Sequence, residues 1–152
     1  MHKSTYYSLG VILLLVLVAC SKDKLETRPS IKLKNVFNRT VPKGNQVPLI
    51  VEFDYTDKEG DIGNSMFVQK TRLNQRVVPT NNRDTFSMVI PQMETKKTDG
   101  QIELRLYPID LQMANNPGNP PEPDTMNIRF ALRDRAGNVS DTVSIGQVIL
   151  IR

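Results

Sequence analysis

The 152-residue chain has one cysteine, one histidine and no tryptophan. The histidine is His2 and the cysteine is Cys20, so everything past residue 20 must work with carboxylates, hydroxyls, amides and cationic side chains. That shortage excludes disulfides, Ser-His-Asp and Cys-His catalysis, and zinc or copper centres built on imidazole or thiolate. A carboxylate-based hydrolase stays formally open, with Glu52, Asp54, Asp57 and Asp61 as its acids. Such chemistry needs a substrate cleft, which one sandwich of about 120 residues rarely provides, and the expectation is a protein that is not an enzyme. Aromatics are also scarce. Past residue 20 the only tyrosines are Tyr55 and Tyr107, which leaves little on which a carbohydrate could stack. There is no strong charge bias: without Lys3, 19 basic residues face 16 acids. Arg72, Arg76 and Arg83 are the nearest approach to a basic cluster and carry no interleaved aromatics, so nucleic-acid binding has no support.

Long apolar runs are absent but for one. Residues 11–19 form an unbroken apolar stretch after the cationic Lys3, and Cys20 follows directly. A membrane-spanning helix needs roughly 20 apolar residues, about twice this run, so residues 1–19 read as a signal peptide that is removed. The tetrad Leu17-Val18-Ala19-Cys20 resembles the lipobox of bacterial lipoproteins. That resemblance implies lipidation of Cys20, which then becomes the first residue of the mature protein. Two or more acyl chains anchor stably where one does so marginally. The stretch Cys20-Ser21-Lys22-Asp23-Lys24 is similar to the start of Bacteroidetes-type outer-membrane lipoproteins, and Ser21 stands where an inner-membrane retention signal would place Asp. The implied location is the outer membrane, in either its periplasmic or its surface leaflet. Residues 20–29 then form the acylated N-terminus and a polar tether that reaches at most about 30 Å.

From residue 30 to 152 apolar and polar residues alternate in short runs punctuated by Gly, Pro, Asn and Asp, the pattern of strands and turns. In one run Leu49, Val51, Phe53 and Tyr55 face one way and Glu52 and Asp54 the other; in another, Ile102, Leu104 and Leu106 alternate with Glu103 and Arg105. A third sets Met126, Ile128, Phe130 and Leu132 against Asn127, Arg129 and Arg133. Weaker strands are expected at 31–37, 66–73, 85–90 and 142–151, the last with a bulge at Gly146 that switches facing parity. Seven strands and no helix predict an all-β domain, a single immunoglobulin-like antiparallel sandwich, with a small barrel or jelly roll as the alternative. The segment Asp134-Arg135-Ala136-Gly137-Asn138-Val139-Ser140 resembles the D-x-A-G-N-x-S turn before the last strand of bacterial Ig-like surface domains. Gly137 and Asn138 are expected to take the positive φ of a tight hairpin. If successive strands run antiparallel, loops 56–65, 91–100 and 134–138 share one end, nearer the tether, and loops 39–46, 74–84 and 108–125 share the other.

Two places offer function. The segment from Asp54 to Gly63 packs Asp54, Asp57, Glu59 and Asp61 around two glycines, and Asp134 arrives at the same end. Calcium takes six to eight oxygens from carboxylates, carbonyls and water, and acidic Gly-containing loops supply them. The segment resembles the Asp/Gly-rich calcium loops of cadherin-like extracellular domains, which makes Asp57, Glu59, Asp61 and Asp134 candidate ligands and calcium a possible cofactor. It departs from the EF-hand, since Gly60 falls fourth from Asp57 and Val68 stands twelfth. A plain solvated turn is the competing reading. The second place is the Pro- and Asn-rich connection at 108–124, whose base carries Tyr107, Leu111 and Met113 as candidate contacts for an envelope protein partner. The reading that emerges is a membrane-anchored accessory or interaction module, with a carbohydrate- or calcium-binding surface domain as the alternative. Mass spectrometry of the mature N-terminal peptide is expected to find Cys20 carrying a diacylglycerol thioether. An unmodified peptide that still bears residues 1–19 overturns that expectation.

Overall fold

The computed structural model describes residues 28–42, 44, 46–76, 84–91, 96–111 and 122–151; the expected signal peptide and Cys20 lie outside them. Eight strands and one helical turn follow one another: β1 (Ser30–Phe37), β2 (Thr40–Val41), β3 (Leu49–Thr56), β4 (Ser65–Arg72), β5 (Thr85–Val89), β6 (Asp99–Leu106), α1 (Pro108–Leu111), β7 (Asp124–Arg133) and β8 (Val143–Leu150). They form two sheets, of order β1-β3-β6 and β2-β8-β7-β4-β5. The chain crosses between the sheets after β1, β2, β3, β5 and β6; with the short β2 set aside, this is the connectivity of an immunoglobulin-like sandwich. Neither sheet closes on itself, which disposes of the barrel alternative. No helix among the described residues is long and apolar enough to cross a membrane.

All seven expected strands are present, and the alternation accounts for what they bury. Val51, Phe53 and Tyr55 of β3 face Met126, Ile128, Phe130 and Leu132 of β7, and all seven are at most 1% exposed. Phe53 and Phe130 meet edge to face across the two sheets, with ring centroids 5.2 Å apart. In β8 the ladder passes from the Ile128–Gly146 pair to Arg129–Ser144, leaving Ile145 unopposed. Gly146 takes φ 78°, and the buried positions shift from Ile145 to Val148 and Leu150. This is the expected bulge and its parity switch.

Two elements differ from the expectation. The eighth strand, β2, is two residues long and too short to show alternation. Asn38, at φ 58°, turns the chain out of the β1 ladder. The chain then joins the other sheet, where β2 runs parallel to β8 and Arg39 O accepts the Ile149 N–H at 2.8 Å. Asn takes this left-handed backbone more readily than most residues because its short polar side chain bonds locally, here from Nδ2 to Pro48 O at 2.9 Å. The second difference is α1, a single turn where no helix is expected. Pro108 starts it with a preset φ, and Asp110 Oδ2 accepts the Tyr107 N–H at 2.8 Å, capping the turn.

The predicted loop ends hold. The Asp57 N–H donates to Thr98 O at 2.7 Å and the Arg135 N–H to Asp61 O at 3.2 Å, so the loops after β3, before β6 and after β7 meet at one end. Arg28 reaches Val139 O at that end, where β1 begins. At the other end the side chain of Asn74 donates to Pro123 O and the Gln75 N–H to Glu122. Truncating Phe130 to Ala leaves a cavity between the sheets and is expected to destabilise the domain by about 3–5 kcal/mol in urea unfolding. The same change at the exposed Val89 should cost under about 0.5 kcal/mol.

Candidate functional site

The inward row of β3 runs Val51, Phe53, Tyr55 and continues one step past the strand to Asp57; that of β7 runs Ile128, Phe130, Leu132 and continues to Asp134. Parity therefore carries both acids into the interior, where Asp57 is 2% exposed and Asp134 is fully buried. Asp61 joins them half-buried, and each of the three offers a carboxylate oxygen within 4.8 Å of the others. The turn that returns Asp61 is closed by the Gly60 N–H donating to Asp57 O at 3.2 Å. Gly60 has φ 62°, and a Cβ there would lie 3.2 Å from Lys96 Cβ and Lys97 N. Glycine is thus required by backbone conformation and by close approach alike.

Hydrogen bonds account for most of the carboxylate oxygens. Asp57 Oδ2 accepts the Asp61 N–H at 2.9 Å, and Asp61 Oδ2 accepts the Ala136 N–H at 3.1 Å. Asp134 is held at both oxygens by Asn138, from N–H at 2.7 Å and Nδ2 at 2.9 Å. Asp57 Oδ1 and Asp61 Oδ1 are buried and accept nothing. Burial pushes the Asp57 carboxyl above the usual range against the Asp61 N–H, and the facing Asp61 carboxyl, by side-chain hydrogen bonding and by charge, adds to the rise together with the charge of Asp134.

The D-x-A-G-N-x-S segment acquires a physical account here. Gly137 alone takes positive φ, at 94°, while Asn138 serves as the clamp on Asp134. Ser140 Oγ accepts the Leu132 N–H at 2.9 Å and returns the chain to the sheet. Asn64 Nδ2 adds a bond to Asp134 O at 3.1 Å. Asn64 escaped the sequence reading because an amide carries no charge pattern, and Asn138 reads there as a turn residue, not as a donor to Asp134.

Of the four predicted ligands the fold gathers Asp57, Asp61 and Asp134, and it leaves Glu59 exposed on the turn. Of the three predicted contacts, Tyr107 is 37% exposed, and Met113 lies outside the described residues. Leu111 is fully buried beneath α1, because the helical turn directs it into the core; the exposed apolar neighbour is Ile109, at 61%. The sequence reading missed a polar cluster at the opposite end. Lys70 continues the inward row Met66, Val68 of β4 and donates from Nζ to Leu111 O at 2.6 Å. Arg72 pairs with Asp84 at 3.3 Å and with the buried Asp124 at 3.8 Å. Arg72 thus meets charges of opposite sign and Lys70 a carbonyl, whereas Asp57, Asp61 and Asp134 gather charges of one sign.

A third feature runs along the sandwich's side. Among the described residues β5 and β6 are each hydrogen-bonded on one side only, and a groove of about 370 Å³ lies between them, lined by Met88, Val89, Ile90, Ile102 and Leu104 among others. Fold and site define an immunoglobulin-like sandwich with an acidic loop end and, among the described residues, an unpaired flank along β5 and β6. The chain matches no protein-family model and no curated protein.

The raised Asp57 pKa fixes the sign of one pH effect. A carboxyl that holds its proton more tightly folded than unfolded adds stability that is lost as pH rises from its ordinary value through its folded one. In EGTA, the stability difference between Asp57→Asn and the parent should therefore shrink as pH falls from about 7 towards 4. A difference that is flat across this range in paired melting curves overturns the account.

Proposed function

We propose that this chain is a non-enzymatic, lipid-anchored lipoprotein of the outer membrane whose Ig-like domain serves as an accessory interaction module for an envelope protein. The observation that carries it is the open flank. β6 keeps an unbroken eight-pair register with β3, contains no proline, and has no described strand on its other side. Val89 of the neighbouring edge strand is 84% exposed. Unbroken edges of this kind invite another strand unless something covers them, and proteins exploit this when an extended partner segment adds to a sheet. The groove's apolar lining gives such a segment side-chain contacts in addition to the ladder.

The anchor reading rests on the lipobox, and Arg28 supports its geometry: it docks at the acidic end, so a tether before it leaves from that end. The carbohydrate alternative is weakened by burial. Tyr55 is 1% exposed, with its hydroxyl packed so tightly on Gly100 that a Cβ there would sit 2.9 Å away, which leaves Tyr107 as the exposed tyrosine. Glu52 accepts a hydrogen bond from Asn35 on the outer face of the small sheet and is not gathered with Asp57 and Asp61.

Crosslinking of the tagged mature protein in its native envelope should recover a reproducible outer-membrane partner, with crosslinks mapping to β5 and β6. Val89→Glu should lower that recovery at least several-fold without changing the melting temperature. Recovery of the lipidated monomer alone overturns the proposal, and crosslinks confined to Tyr107 and Met113 place the contact on the 108–124 connection instead.

A further inference from the structure

We infer that Asp57, Asp61 and Asp134 form a calcium site that fastens the loop after β3 to the loop after β7. This goes beyond the interaction module and stands or falls separately from it. Three carboxylates gathered in one place do not make a site. The second observation is that Asp57, only 2% exposed, keeps Oδ1 buried without a hydrogen-bond donor, and Asp61 does the same with its own Oδ1. Buried polar atoms are satisfied in the great majority of cases, and an unsatisfied one asks for a ligand. Every other oxygen of the triad is already held: Asp57 Oδ2 by the Asp61 N–H, Asp61 Oδ2 by the Ala136 N–H, and Asp134 by Asn138 at both oxygens.

The missing partner is a cation. Asp57 is 2% exposed and Asp134 fully buried, and a cation between them would offset their like charges as Arg72 does for Asp124 at the other end. The donors are all hard oxygens, which selects calcium, magnesium or manganese over zinc and copper. Each of the three carboxylates offers an oxygen within 4.8 Å of the others, close enough for one cation to touch all three. Water and backbone oxygens then complete a coordination that calcium, unlike magnesium, accepts in irregular geometry. Because Asp61 and Asp134 come from different loops, occupancy joins the two turns.

The test is thermal melting and calorimetric titration of the mature full-length protein after EGTA treatment, with calcium and with magnesium. Calcium at millimolar levels or below is expected to raise the melting temperature by several degrees with one-to-one stoichiometry, and magnesium to do so at least tenfold more weakly. Asp57→Asn should abolish the calcium response while melting higher than the parent in EGTA near neutral pH, because it removes a buried charge. Asp61→Asn, at the half-exposed position, provides the same loss of response if Asp57→Asn does not fold, and Asp54→Asn on the outer face should leave the response intact. Absence of a calcium-dependent rise, an equal rise with magnesium, or a response that survives both Asp57→Asn and Asp61→Asn overturns the inference.

Discussion

The packing of Phe53 on Phe130 is the contact on which the rest of the molecule depends. It fixes how β3 lies across β7, and each ring stands four residues before an aspartate of the same facing. Once the rings interlock, period-two alternation leaves Asp57 and Asp134 no orientation except inward, so the apolar core and the acidic cluster are two results of one register. A one-residue slip in either strand would expose both the aromatic and the acid.

The inward row of β7 begins at Asp124 and ends at Asp134, with four apolar residues between them. The two ends of that row are balanced differently. Asp124 meets Arg72, and Lys70 nearby donates to a backbone carbonyl and lies 5.7 Å from the Phe86 ring centroid. Asp134 meets two other acids and an amide. Burying like charges together costs free energy unless something of opposite sign arrives, and this asymmetry distinguishes the two ends more sharply than their loop lengths do.

Much of this was legible in the sequence, for a definite reason. Strands half-buried in a two-layer sandwich must alternate, so β3, β6 and β7 announced themselves, and antiparallel succession then assigned the loops to ends. The bulge at Gly146 was legible because a glycine interrupts an apolar row. What alternation cannot report stayed hidden: β2 is shorter than one period, α1 is a single turn, and Leu111 looks like a loop residue until that turn directs it inward. Lys70 was hidden by habit more than by physics, since the row Met66, Val68, Lys70 already places it inside.

The handover from β1 to β2 has a mechanical meaning. Strand β1 runs lengthwise from Ser30, at the end where Arg28 is docked, and its neighbour β3 holds it through seven aligned pairs. Tension applied to the chain ahead of Arg28 therefore acts parallel to β1 and perpendicular to its ladder bonds, which must shear together and cannot peel one at a time. The short parallel graft of β2 onto β8 carries that load into the second sheet. A pull on the leading segment is, in this topology, borne along the strands and shared between both sheets.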